Sequence, residues 1–380
     1  MARVILYSHD TFGLGHFRRC LKIAGCLAAG RDQIEGILIT GSPWSRLFRL
    51  PRGFSAVTLP PVVKCGPRRY ASRDGGSSFK AVAAQRRRLI EKTVADFVPD
   101  LLIVDNVPCG LAGEVMPALR QLGRRRGARA VLSLRDILDS PEAILSEWSD
   151  GGANEALEQL FDEIWVFGGQ ADVEVLVEEG PLAWAAEKVH ACGRIGSALR
   201  SAGVPVDLGD RTQPTVLVTG GGGRDAAPLV STYLEALRDH RPTVTSQVVL
   251  GPDYPVEGWP GLDSRARRYA TIERFVGNMP DRIAASDVIV AMAGYNTVCE
   301  ILEAGRPAVL IPRVEPRAEQ LLRAQRWQRA RRVKVIHPDS LDPTSLWRAV
   351  EEVLALPSPV PLRFDGGKVA AGRAAALLGA

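Results

Sequence analysis

The stretch from Ala291 to Pro312 brings together groups that suit a ligand carrying both phosphate and hydroxyls. An apolar strand, Asp287 to Ala293, runs into Gly294. A helix then starts at Asn296 and Thr297 and ends at Gly305. Backbone N–H groups at a helix N-terminus, backed by the helix dipole, attract a diphosphate. Glu300 lies six residues beyond Gly294, where a carboxylate can accept hydrogen bonds from both ribose hydroxyls. The alternative is a salt-bridged helix residue, as expected of Glu303. A charge between two apolar strands needs a reason, because an unpaired buried carboxylate is costly. Pro307 opens the second of those strands, and the acid–amide pair Glu319-Gln320 follows it, suited to reading sugar hydroxyls.

A second phosphate candidate is Thr219-Gly220-Gly221-Gly222-Gly223-Arg224, after one strand and before a helix. Consecutive glycines let the backbone approach a diphosphate closely and are costly for a mere turn. Arg224 adds a positive charge. The competing reading is a tight strand-to-helix turn. Near the start, Gly13-Leu14-Gly15-His16 also follows a strand, but Arg18 occupies the third glycine position of the dinucleotide fingerprint. That weighs against a nicotinamide or flavin enzyme. The turn instead delivers His16 at a helix start, where an imidazole serves as general base, positions an acceptor or caps the helix. His9 and Asp10 share this loop, and Asp10 either orients His16 or acts as base itself. Asp105 and Arg135-Asp136, with Asp139 beyond, end buried strands; they either bind an acceptor or cap helices.

The elements that must position these residues alternate. Strands are expected at 4–8, 36–40, 56–59, 101–105, 129–134 and 163–167, with helices at 16–29 and 81–97. Such alternation implies a parallel doubly wound sheet. Residues 64–78, rich in Arg, Gly and Ser, read as a long mobile loop. The stretch 201–214, with Gly203, Pro205, Gly209 and Pro214, reads as a linker between an acceptor domain at 1–200 and a donor domain at 215–358. Strands of the second domain are expected at 215–219, 246–250, 270–276, 287–293, 307–311 and 332–336, and a last helix at 372–378.

Composition narrows the class. The chain has 380 residues, enough for two Rossmann-like domains, and is 46% hydrophobic. A net charge of +5 is mild, and no motif for reading RNA or DNA is present, so no nucleic-acid partner is expected. The six cysteines form no CxxC pair and read as buried thiols of a reduced, cytoplasmic protein. The chain enters a strand directly, so no signal peptide is expected, and no apolar run reaches the ~20 residues of a membrane span. Arg68, Arg69, Arg73, Arg86, Arg87 and Arg88 suggest either peripheral contact with anionic lipid at the inner membrane face or a solvated basic surface.

At the Ala291–Pro312 residues the chain resembles the donor half of GT-B glycosyltransferases, most closely the family 28 type that forms lipid II. Its opening, Ser8 to Arg19, is similar to a group of predicted bacterial glycosyltransferases. The resemblance implies an α/β fold of two Rossmann-like doubly wound domains facing across a cleft, with residues 359–380 crossing back to the first domain. It places a nucleotide diphosphate at Gly220, Gly221, Gly222, Gly223, Arg224, Gly294, Asn296 and Thr297, and ribose on Glu300. Phe275, Val276 and Met279 match the residues that hold a uracil ring, although Phe275 alone fits a core strand end equally well. Glu319 and Gln320 would contact the donor sugar; Glu319 stands where the lipid II family has Gln and does not favour an N-acetyl group. Arg323 stands where that family usually has Asn. His16 would act as general base or hold the acceptor, with Gly13, Gly15, Asp105, Arg135 and Asp136 nearby. No Asp-x-Asp occurs, which fits a metal-independent enzyme without cofactor. The implied activity is an inverting transferase that moves a sugar from a nucleotide sugar, expected to be UDP-linked, to a hydroxyl on a glycan, lipid-linked or small-molecule acceptor. Two other reactions remain open. One is nucleotide-sugar hydrolysis, because Gly13 to Leu21 also resembles the UDP-sugar hydrolase of pseudaminic acid synthesis. The other is 2-epimerisation.

Overall fold

A computed structural model describes residues 1–10, 13–30, 34–66, 69–73, 75–139, 144, 148, 152–178, 180–197, 212–255 and 268–379. The chain divides into two compact units, residues 1–198 with 364–380, and residues 199–363. Most of the stretch read as a linker, 201–214, lies outside the described residues.

The first unit is built on a seven-stranded parallel sheet of order β3-β2-β1-β6-β7-β8-β9. Its strands are β1 (Ala2–Ser8), β2 (Ile34–Thr40), β3 (Phe54–Thr58), β6 (Leu101–Asp105), β7 (Arg129–Arg135), β8 (Glu163–Phe167) and β9 (Val189–Ala191). The central strands are buried on both faces, which is why Leu101–Asp105 reads as a continuous apolar run. Helices α1 (Gly15–Gly30), α2 (Phe79–Phe97), α3 (Met116–Gly123) and α4 (Gln170–Val177) connect or flank these strands. Ser78 caps α2 by accepting from the Ala81 N–H, and Val98, left-handed at φ 52°, closes it ahead of Pro99.

The described residues of 64–78 differ from the loop expected there, while Arg68 lies outside them. β4 (Val62–Gly66) and β5 (Arg69–Ser72) form an antiparallel two-stranded sheet, held down by Tyr70 stacked on Phe79 at 5.7 Å. Arg86 also departs from the expected basic surface. It is fully buried and grips Glu114 with two bonds of 2.7 Å, while its Nη1 donates to the Pro60 carbonyl at 2.8 Å. The Tyr7 hydroxyl donates to the same carboxylate at 2.7 Å. Burial, then the Glu114 charge, pushes the Tyr7 phenol well above its usual range. Arg86→Ala would strand Glu114 in the core. We expect it to destabilise the protein by about 3–5 kcal/mol, read from the shift of the urea-denaturation midpoint.

Of the cysteines, Cys20, Cys109, Cys192 and Cys299 are buried, Cys26 is half-buried and Cys65 is exposed, against the expectation that all six lie inside. The C-terminal helix begins at Gly366 rather than Gly372, because small residues keep it close to α1. A Cβ at Gly367 would fall 2.3 Å from the Cys26 sulfur. Arg373 anchors the helix to Glu163 through bonds of 2.8 and 2.7 Å.

The second unit carries a six-stranded parallel sheet of order β12-β11-β10-β13-β14-β15. The strands are β10 (Thr215–Thr219), β11 (Thr245–Val249), β12 (Thr271–Glu273), β13 (Val288–Ala291), β14 (Ala308–Leu310) and β15 (Lys334–Val335). Helices are α5 (Ala227–His240), α6 (Met279–Ala285), α7 (Tyr295–Ala304), α8 (Glu319–Arg329) and α9 (Pro343–Leu354), while α10 (Gly366–Leu377) returns to the first unit and packs on α1. β12 is shorter than the expected 270–276 strand, so Phe275 and Val276 lie beyond its end. Among the described residues, no helix is long and apolar enough to cross a membrane.

Candidate functional sites at the sheet edges

In a doubly wound sheet the ligand crevice opens where the strand order reverses, beyond the carboxyl ends of the strands. In the second unit that point lies between β10 and β13. The glycine run follows β10, and Gly294 with α7 follows β13, so both phosphate candidates meet at one edge. A Cβ placed on Gly221, left-handed at φ 63°, would lie 3.9 Å from the Thr297 hydroxyl, so loop and helix start are neighbours.

The two do not contribute equally. The Gly220 N–H donates to the Val249 carbonyl at 3.3 Å, Gly221 N–H to the Thr219 hydroxyl at 3.2 Å, and Gly223 N–H to the Gly220 carbonyl at 3.1 Å. Gly223, at φ 97°, admits no side chain, since a Cβ would sit 2.6 Å from the Leu250 carbonyl. Part of the glycine run is therefore a packing requirement, the plainer of its two readings. Helix α7 has the stronger anion-binding geometry. Its cap, Gly294, supplies no side-chain acceptor, and nothing lies within 4 Å of a Cβ placed there. First-turn N–H groups of a helix lack an i−4 carbonyl.

Glu300 sits in the second turn of α7 and is 2% exposed. Phe275, Val276 and Met279 lie beyond β12 and at the start of α6, all half-buried. They share the edge with the glycine run, since Asp253 N–H donates to Gly222 and Gly251 N–H to Arg274, each at 2.9 Å. Glu319 and Gln320 open α8, past the end of β14, and both are buried. The backbone N–H of Arg313 donates to the side-chain Oε1 of Gln320 at 3.2 Å, and its Nη2 to Glu319 at 3.0 Å. Arg323 is buried in α8, donates to the Ala293 carbonyl at 3.1 Å and lies over the Tyr295 ring at 5.7 Å. It thus puts a positive charge beside the start of α7.

In the first unit the strand order reverses between β1 and β6, and the candidate base stands there. His16, the second residue of α1, meets the Asp105 carboxylate at the end of β6 through Nδ1, at 2.6 Å. The other Asp105 oxygen accepts from Nε of Arg19 at 2.9 Å and from its Nη2. Arg19 is 1% exposed and Asp105 fully buried. Burial alone would raise the Asp105 carboxyl, but the charges and hydrogen bonds of Arg19 and His16 overcome it and hold the group well below the usual carboxylate range. Asp105 neither caps a helix nor stands open to an acceptor; it orients His16.

Asp10 has a different place from the one expected. It accepts from the Phe17 N–H at 3.1 Å and from the Thr40 hydroxyl, tying the start of α1 to β2. Burial raises its carboxyl above the usual range, only partly offset by the charge of His16 and the Thr40 bond. His9 packs edge-on against His16, ring centres 5.9 Å apart. Asp136 accepts from the Ile137 N–H at 2.8 Å and lies 3.8 Å from Arg194, while Arg135 reaches Asn106 at 3.5 Å. Gly13, left-handed at φ 67°, and Gly15 shape the turn before His16. Arg19 and Arg313 were not singled out from sequence. Arg313 carries one signal, its place immediately after the strand-ending Pro312.

Known proteins match this arrangement. Residues 215–359 match the model of the glycosyltransferase family 28 C-terminal domain. A UDP-N-acetylglucosamine–N-acetylmuramyl-(pentapeptide) pyrophosphoryl-undecaprenol N-acetylglucosamine transferase of Bacillus cereus is 32% identical over 87 residues, 22% of this chain and 25% of that one. Its counterpart in Desulfitobacterium hafniense is 29% identical over 181 residues, 43% of this chain and 46% of the relative. The chain thus spans between a quarter and about half of the length of these curated relatives. The solved structure of Phytolacca americana UGT2, complexed with UDP-2fluoro-glucose and pterostilbene, superposes over 100% of this chain and 94% of its own, with a TM-score of 0.62 at 14% identity. Its likeness is one of fold. The second unit of this chain therefore matches the glycosyltransferase family 28 C-terminal domain, carried within a GT-B fold of two α/β units.

Proposed function

We propose that the protein is an inverting glycosyltransferase that binds a nucleotide sugar on its second unit and uses His16 as the base for the acceptor hydroxyl. The observation that carries this reading is the convergence, at one switch point, of the α7 N-terminus, the glycine run and the buried carboxylate of Glu300. The diphosphate lies against the first turn of α7, with Gly221 and Arg224 alongside, and Glu300 takes the two ribose hydroxyls. Phe275, Val276 and Met279 bound the base. UDP is the proposed nucleotide, supported by the names of the relatives matched. Glu319 and Gln320 read the sugar.

On the first unit, Asp105 accepts the Nδ1 proton of His16, which leaves Nε2 as the basic nitrogen. Nε2 takes the proton of an acceptor hydroxyl as that oxygen attacks the anomeric carbon from the face opposite the diphosphate. The C1–O bond to the diphosphate breaks, and the α7 N-terminus holds the leaving anion. No metal or cofactor is assigned a role in this scheme. The acceptor is a hydroxyl on a glycan, a lipid-linked sugar or a small molecule, and the exposed Arg69, Arg73, Arg87 and Arg88 would meet an anionic surface if it is membrane-borne.

Glu300→Gln tests the donor half. It keeps the side chain's shape but loses one acceptor site and the charge. We expect nucleoside-diphosphate affinity by calorimetry to fall about 10- to 100-fold, since hydrogen bonds to charged groups contribute about 1.5–3 kcal/mol each. Unchanged affinity would remove the ribose role.

A further inference from the structure

Arg313 joins two parts of the donor site that sequence keeps far apart. Its Nη1 lies 3.2 Å from Asp225, which directly follows Gly220–Arg224, and its Nη2 lies 3.0 Å from Glu319. The side chain is 17% exposed. Arg323 approaches the other Glu319 oxygen at 3.6 Å, so the carboxylate lies between two guanidinium groups. Held this way, Glu319 offers a ligand acceptors only. The amide of Gln320 is fixed in the opposite sense. Only an oxygen can receive the Arg313 backbone N–H, so Oε1 is used there and the NH₂ end is left to donate.

We propose that Arg313 is a specificity-positioning residue, which sets this acceptor–donor polarity and couples sugar recognition to the diphosphate loop through Asp225. The inference rests on the nucleotide-sugar reading above and specifies the sugar class. A neutral sugar with adjacent hydroxyls fits, one donating to Glu319 and its neighbour accepting from Gln320. A uronate does not, because both guanidinium groups already face carboxylates and its own charge would meet Glu319. Arg313 needs both arms for this, which lysine cannot supply.

The test is calorimetric titration of the intact protein with UDP, dTDP and GDP, their glucose conjugates and UDP-glucuronate. In the wild type, one glucose conjugate should bind more tightly than its parent diphosphate and than the glucuronate. In Arg313→Lys that glucose advantage should fall about tenfold while affinity for the diphosphate alone moves less than about twofold, with the melting temperature retained. Asp225→Asn leaves the Glu319 pairing intact and should give a smaller fall in the same direction; it carries the test alone if Arg313→Lys does not fold. An undiminished advantage in the folded variants overturns the inference, as does a wild type that binds the diphosphate and its glucose conjugate equally, and both results leave the nucleotide reading standing. Absence of wild-type binding to every probe overturns that reading and this inference together.

Discussion

His16→Ala is expected to lower turnover about 10²- to 10⁴-fold, the range spanned by positioned general acids and bases, while nucleotide affinity persists. The two effects separate because His16 and the proposed nucleotide residues belong to different units with different cores. The fold should tolerate the change. His16 is 15% exposed, and without it Asp105 keeps its pairing with Arg19. Single-turnover kinetics beside a nucleotide titration provide the check. Full turnover in the alanine variant would take the base role away from His16.

Asp105→Asn should reduce kcat by a similar order, about 10²- to 10⁴-fold, by a different route. An amide at this position can present its NH₂ to the imidazole, so Nδ1 becomes the acceptor and Nε2 the protonated nitrogen. The loss should therefore fall on kcat rather than KM. Stability falls as well, because Arg19 would be left buried with a neutral partner and the Ser133 carbonyl at 3.4 Å. The native carboxyl titrates below its unfolded value of about 3.9. Its stabilisation is therefore complete above about pH 4 and is lost only as the pH falls toward the depressed native value. The stability gap between wild type and Asn should be constant near neutrality and narrow below about pH 4 in acid-denaturation curves. A gap that widened in acid would contradict the ionised role assigned to Asp105.

Local pattern made the parallel sheets legible. Runs such as Leu101–Asp105 and Val288–Ala291 are apolar because both faces are covered. The β4–β5 hairpin was not legible. Its strands carry Lys64 and Arg69 and one half-buried ring, Tyr70 stacked on Phe79 of α2, instead of an alternating apolar face, and pairing with each other supplies the order. The start of α7 was readable because it lies four residues past the end of β13, and Glu300 and the acid–amide pair follow β13 and β14 by nine residues each. The orientation of His16 was not, because its partner is 89 residues away and joins it only through the pairing of β1 with β6. Asp10, seven residues before Phe17 and close in sequence to His16, was the natural candidate, yet it is spent on tying α1 to Thr40. Arg86 was misplaced for the same reason, since nothing nearby in sequence announces Glu114 as its partner.

Native mass spectrometry of the purified protein with UDP-, dTDP- and GDP-sugars, without acceptor, separates transfer from hydrolysis. A transferase should form a complex with an intact nucleotide sugar of one base, with little free sugar released over many minutes. Rapid stoichiometric release of free sugar from one donor would make water the acceptor and the protein a hydrolase, and failure to hold any nucleotide sugar would contradict the donor site itself.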